Sequence, residues 1–135
     1  MSDPAAMLEL RYRGEAATLG EARREVLHWL REAGADQPTL ERAALIVSEL
    51  ATNALEASPG SVYQVHVTRA DTDHVAISVR NKTKGTVPPT QDQWRTADPT
   101  ALRGRGLAIV KSLSEDVTVD NHDGNVVVTA RLRLR

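Results

Sequence analysis

The strand-like runs of this 135-residue chain are apolar on one side only, and that restricts the fold more than any other feature. Met7 to Arg13 sets Leu8, Leu10 and Tyr12 against Glu9, Arg11 and Arg13. Tyr63 to Arg69 sets Tyr63, Val65 and Val67 against Gln64, His66 and Thr68, and His74 to Arg80 turns Val75, Ile77 and Val79 one way. Asp116 to Asp120 reads as a further strand. Asn125 to Arg133 is the last, with Val126, Val128, Ala130 and Leu132 alternating with Val127, Thr129, Arg131 and Arg133. Period two with one polar face describes strands covered on one side and wet on the other. Two runs have the helical period instead. Thr18 to Ala33 gathers Leu19, Ala22, Val26, Trp29 and Leu30 on one face; Thr39 to Ala57 gathers Leu40, Ala43, Val47, Leu50, Ala51 and Ala54. Gly104 to Ser114 reads as a third, shorter helix. One-faced strands and one-faced helices satisfy each other in two layers. The expected fold is therefore α+β, a two-layer sandwich with helices on one face of a mixed, mostly antiparallel sheet.

Composition narrows the function classes. Hydrophobic residues make up 41% and charged residues 26%, ordinary for a globular protein and against a disordered chain. Phe is absent and Trp and Tyr number two each, so the core must come from Leu, Val, Ile and Ala. A net charge of -1 calls for neither direct nucleic-acid binding nor an anionic membrane. Absence of cysteine excludes disulfides, thiolate metal sites and a cysteine nucleophile. No leader-like segment opens the chain and no run is long enough to span a membrane, so a cytoplasmic location is expected. With no repeat or linker, residues 1–135 read as one domain. Lys82 to Arg103 shows neither period; with three prolines and Trp94 it reads as a lid loop over about 82–103.

Three features can carry chemistry. Glu49 and Asn53 are i and i+4 on the second helix, opposite its apolar stripe, so their side chains meet. A carboxylate beside an amide oxygen can act as general base and as ligand to a hard cation; the same pair also suits a solvated polar face. Arg103-Gly104-Arg105-Gly106-Leu107 opens the third helix, where free backbone N–H groups and the helix dipole favour an anion. Arg103 and Arg105 can add charge-assisted bonds to phosphate. Asn81 ends a strand on its inward face, so a polar group emerges at the mouth of the buried layer, where its amide can hydrogen-bond a base edge; the same residue also suits a plain strand end. The four histidines have no metal-ligand spacing, and Ser48 and Ser58 belong to no defensible triad.

Glu49-Leu50-Ala51-Thr52-Asn53-Ala54, Asn81, the long loop and Gly104-Arg105-Gly106-Leu107, in this order, resemble the GHKL (histidine-kinase-like) ATPase superfamily. The resemblance is narrower to bacterial anti-sigma factors of the serine-protein-kinase type and runs from about Leu8 to Leu134. It implies the histidine-kinase-like ATPase fold with ATP between helices, sheet and lid, and Mg2+ held by Asn53. Glu49 would be the catalytic base. Asn81, Gly85, Arg103, Gly104, Arg105, Gly106 and Leu107 would bind the nucleotide. The implied partners are a sigma factor and an anti-anti-sigma antagonist, whose serine or threonine is the phosphoacceptor; a homodimer is also implied. The match departs at the family's first glycine box, which here reads Asn81-Lys82-Thr83-Lys84-Gly85. Asn81 keeps an acceptor oxygen without the aspartate charge, and Thr83 stands where a glycine is usual. Loss of a charge-assisted bond weakens binding by about 1–3 kcal/mol. That departure motivates the alternative, a non-catalytic module that sequesters a regulator and whose nucleotide site is degraded.

Overall fold

The computed structural model describes residues 7–58, 60–82, 102–122 and 124–135, with the side chains of 102–105 and 122 outside that description. Along the chain run β1 (Met7–Arg13), α1 (Ala16–Glu32), α2 (Gln37–Ala57), β2 (Val62–Arg69), β3 (His74–Lys82), α3 (Leu102–Leu113), β4 (Asp116–His122) and β5 (Asn125–Arg133). The strands form one sheet in the order β1-β2-β3-β5-β4, with the helices against one face. All four pairings are antiparallel, so the parallel component allowed by the sequence is not found among the described strands. The connections explain this. Two helices separate β1 from β2, and the three reversals they impose return the chain antiparallel. β4 points the same way as β3, but β5 lies between them.

The inward faces are those given by period two. Tyr63, Val65 and Val67 of β2, Val75, Ile77 and Val79 of β3, and Val126, Ala130 and Leu132 of β5 are buried against Val26 and Leu30 of α1 and Ile46, Val47 and Leu50 of α2. Two aromatic rings, Tyr12 and Tyr63, pair at 5.8 Å between centroids at the β1 side. The Tyr63 hydroxyl shares a 2.8 Å hydrogen bond with Thr18 on α1, which gives the buried phenol its polar partner.

Helix α2 starts two residues earlier than the periodicity places it. The Asp36 side chain accepts from the Thr39 backbone N–H at 3.0 Å, the usual N-cap arrangement, and Pro38 in the first turn has no N–H to lose. Hydrogen bonds from Thr39, side chain first, hold the Asp36 carboxyl below the ordinary carboxylate range. Asp71, in the β2–β3 turn, is lowered by its hydrogen bond with His74 and then by the Asp73 backbone N–H. The His74 ring is held on both sides: Nδ1 lies 2.9 Å from Asp71 and Nε2 lies 2.9 Å from Glu115, just before β4. It thereby ties two turns at one end of the sheet.

Two stability outcomes follow. Leu50 is 2% exposed while Leu45 on the same helix is 51% exposed. In urea titrations Leu50→Ala is expected to cost about 2–5 kcal/mol, and Leu45→Ala to stay within about 0.5 kcal/mol. Asp36 and Asp71 have folded pKa values below their unfolded ones, so their contribution is complete above the ordinary carboxylate value of 3.8 and is lost as pH falls through the lower folded values. The urea midpoint should drop on acidification below about pH 4. The drop should be smaller in the double variant Asp36→Asn, Asp71→Asn.

Candidate functional site

Helix α2 uses both its sides. Its apolar stripe enters the core, and α3 packs along its other flank. Glu49 and Asn53 are half-buried there, so the pair expected opposite the apolar stripe is not a solvated face; Glu56, one turn on, remains exposed. The contact depends on Gly106, the fifth residue of α3. A methyl group at Gly106 would fall 2.6 Å from Glu49 Oε2, 3.6 Å from Asn53 Oδ1 and 3.7 Å from Asn53 Nδ2. Any side chain at this position would enter the space the two polar groups occupy. Glycine inside a helix costs about 0.5–1 kcal/mol relative to alanine, and here the close approach explains its presence.

Gly106 is therefore brought against Glu49 and Asn53, residues 57 and 53 positions earlier in the chain. Asn53 Nδ2 is buried and has no hydrogen-bond partner among the described residues. A buried amide left unpaired loses the free energy of its hydration, and native structures rarely leave one without reason. Rotation of the amide by half a turn exchanges Nδ2 and Oδ1, so the position can present either a donor or an acceptor. Lys111 Nζ on α3 is likewise buried without a described partner.

Leu107 is 4% exposed and packs in the core, which anchors α3 beside Gly106. The helix begins at Leu102 rather than Gly104, so Arg103 belongs to its first turn instead of the preceding loop. The N–H groups of that turn have no partner within the helix. The side chains of Arg103 and Arg105 lie outside the described residues, as do Gly85 and the lid positions from 83 to 101.

Asn81 is 8% exposed and faces inward near the end of β3, opposite Tyr63 on β2. It belongs to the far end of α2. The Lys82 carbonyl accepts from Asn81 Nδ2 at 3.2 Å and from the hydroxyl of Ser58, the residue that closes α2. Ser58 lies five residues beyond Asn53, about 7.5 Å along the helix axis. Asn81 and Asn53 thus mark two ends of the surface that α2 presents beside β3. Sequence set Ser58 aside for lack of a triad. Its position at the close of α2, before Pro59-Gly60, was the available signal, and its role is to fix the end of β3.

The Gly106 contact can be measured directly. Gly106→Ala should displace the Glu49 carboxylate. In a double-mutant cycle with Glu49→Ala, which removes the obstacle, the alanine should be better tolerated than in the parent, with a coupling of about 0.5–3 kcal/mol. Additive effects would mean that the two residues do not meet.

A family model described as the histidine kinase-like ATPase domain matches residues 12–132. Two solved structures share the fold. One comprises the RsbU and RsbW domains of a Mycobacterium tuberculosis protein, at 20% identity and a TM-score of 0.70, covering 95% of this chain and 32% of that one. The other is the SiaB-SiaC complex from Pseudomonas aeruginosa, at 15% identity and a TM-score of 0.64, covering 95% of this chain and 91% of that one. The chain thus spans about a third of the length of the first. No curated protein sequence matches it. Among the described residues no helix is long and apolar enough to cross a membrane. With the family model spanning residues 12–132, nearly the whole chain, this protein belongs to the histidine kinase-like ATPase domain family.

Proposed function

We propose that the chain is an ATP-binding anti-sigma regulatory factor that phosphorylates a serine or threonine of its antagonist. The observation that carries this reading is the contact of Gly106 with Glu49 and Asn53 around a buried amide that has no described partner. The family implies a nucleotide, usually with Mg2+, and the residues fit both. The glycine leaves room where a side chain would block the site, and Asn53 can offer Mg2+ the oxygen ligand it prefers.

Bound ATP-Mg2+ supplies an activated phosphoryl group. The chain does the rest by positioning and charge, as phosphoryl transfer generally requires. Asn53 would hold the metal through its amide oxygen. Glu49, within reach of the same point, accepts the proton of the attacking hydroxyl. The backbone N–H groups of the first turn of α3, from Arg103 to Gly106, receive the phosphates, and Arg103 and Arg105 add positive charge. Asn81, whose Nδ2 donates to the Lys82 carbonyl, would offer Oδ1 to the adenine amino group. Gly85 and Leu107 would complete the nucleotide site, under a lid formed by the part of the 82–103 segment that lies between β3 and α3. In this reading residues 1–135 form one ATP-binding domain in the cytoplasm. It acts as a homodimer that restrains a sigma factor, with release governed by the antagonist. Likeness to a chain with an RsbW domain and to the SiaB-SiaC complex supports a regulatory role exercised through protein partners.

One observation favours a second reading. Asn81 is uncharged and its amide already has a partner, so adenine gains only a neutral acceptor. A module that sequesters its regulator without chemistry would need nothing more.

Calorimetry and phosphoryl transfer separate the two. Asn53→Ala should abolish the Mg2+ dependence of ATP binding. Glu49→Ala should keep nucleotide affinity within about threefold, yet lower transfer to the antagonist by about 10²–10⁴-fold, the usual contribution of a general base. Absence of ATP binding by the folded parent protein would favour the sequestering module.

A further inference from the structure

The outer face of the sheet, away from the helices, carries a localised basic cluster. One cross-strand row reads Arg11, Gln64, Arg80, Val127, Asp120, from β1 to β4. In the next row Arg13 faces Val62, and Lys82 extends β3 one residue past Asn81. Arg11, Arg13, Arg80 and Lys82 are all exposed and line one cleft of about 350 Å³, with Val62 and Gln64 between them. Among the described residues no carboxylate lines that cleft. Among the described residues none of the four cations makes an ion pair, whereas Arg131 on the same face pairs with Asp71 at 3.1 Å. Strand geometry sets the four at the corners of a rectangle about 7 Å along the strands and about 10 Å across them.

From this arrangement we propose that the outer sheet face docks an acidic segment of a partner protein. Four like charges held on two strands that flank β2 repel one another, and an anion between them relieves that repulsion. Three observations select a short acidic peptide. First, the cluster is bounded: Glu9 lies two residues from Arg11 on the same face, and Asp120 ends the Arg80 row. A long polyanion crossing the face would meet these carboxylates. Second, the net charge of the chain is -1, without the broad positive field that gathers nucleic acid or anionic membrane. Third, the centre is apolar and uncharged: Val62 is 39% exposed beside Gln64, which suits a peptide with mixed side chains better than bare phosphate. Carboxylates at alternate positions of an extended segment are about 7 Å apart, matching the spacing along β1. The inference does not depend on phosphoryl transfer, because these side chains point away from the layer that holds Glu49 and Asn53.

The test is an amide NMR titration of the full chain with hexaglutamate, against hexaglutamine, inorganic phosphate and a 12-nucleotide single-stranded DNA. Saturable shifts at Arg11, Arg13, Gln64, Arg80 and Lys82 with hexaglutamate are expected. They should weaken at least about tenfold in Arg11→Glu, Arg80→Glu and persist in Arg24→Glu, an exposed change on α1 in the other layer. If the double reversal does not fold, Arg80→Gln, Lys82→Gln replaces it. The proposal is overturned by absence of saturable shifts, by shifts unchanged in the charge-altered variants, or by phosphate or DNA saturating the same residues at lower concentration. It is also overturned if sedimentation shows a dimer that the same variants dissociate, since the face would then belong to a second copy.

Discussion

Helix α2 is the element on which the rest of the structure depends, because it is covered on two sides by different chemistry. Its Ile46, Val47, Leu50 and Ala54 side supplies the middle of the core against the sheet. Its Glu49 and Asn53 side is covered by α3. Covering a carboxylate and an amide is costly unless the covering element offers polar partners or leaves room for them. Gly106 does the latter. The approach of α3 at a residue without a side chain keeps both groups in one recess, and Leu107 next to it secures the approach by burial in the common core.

Much of this was legible in the sequence, and the reasons differ by element. Strand faces were readable because period two admits only two registers, and burial alternates along β2, β3 and β5 as the sequence pattern requires. The start of α2 was not, because Asp36-Gln37-Pro38 resembles a break; Pro38 is compatible with a first turn, and the Asp36 cap makes it one. The all-antiparallel sheet was only partly readable, since period two does not say which strands neighbour each other, and the insertion of β5 between β3 and β4 decides the matter. Glu49 and Asn53 were visible as a pair, but a single helix cannot reveal what packs on its polar side. Half-burial of that pair is a property of α3, encoded some fifty residues away at Gly106.

The outer-face cluster was illegible for the same reason in a stronger form. Arg11 and Arg13 belong to β1, Arg80 and Lys82 to β3, and nothing local relates them; only the β1–β2 and β2–β3 registers bring them to one cleft. Bulk charge concealed it as well. A chain with a net charge of -1 gives no hint of four cations without an ion-pair partner among the described residues, because acids elsewhere in the chain balance the sum without neutralising the patch. Net charge bounds long-range behaviour and is silent on local clusters.

The end of β3 is where the two layers are bound together. Successive residues there point to opposite faces: Arg80 and Lys82 outward to the basic cleft, Asn81 inward to the layer that contains α2. The Lys82 carbonyl accepts both from Asn81 and from the buried Ser58 hydroxyl that terminates α2. Buried polar groups hold such positions firmly, because a donor left unpaired loses more than a normal hydrogen bond contributes. The strand end cannot shift without unpairing Ser58 or Asn81, and Lys82 cannot change course without carrying its own carbonyl along. One peptide unit therefore fixes the spacing between the cleft on the outer face and Asn81 on the inner one.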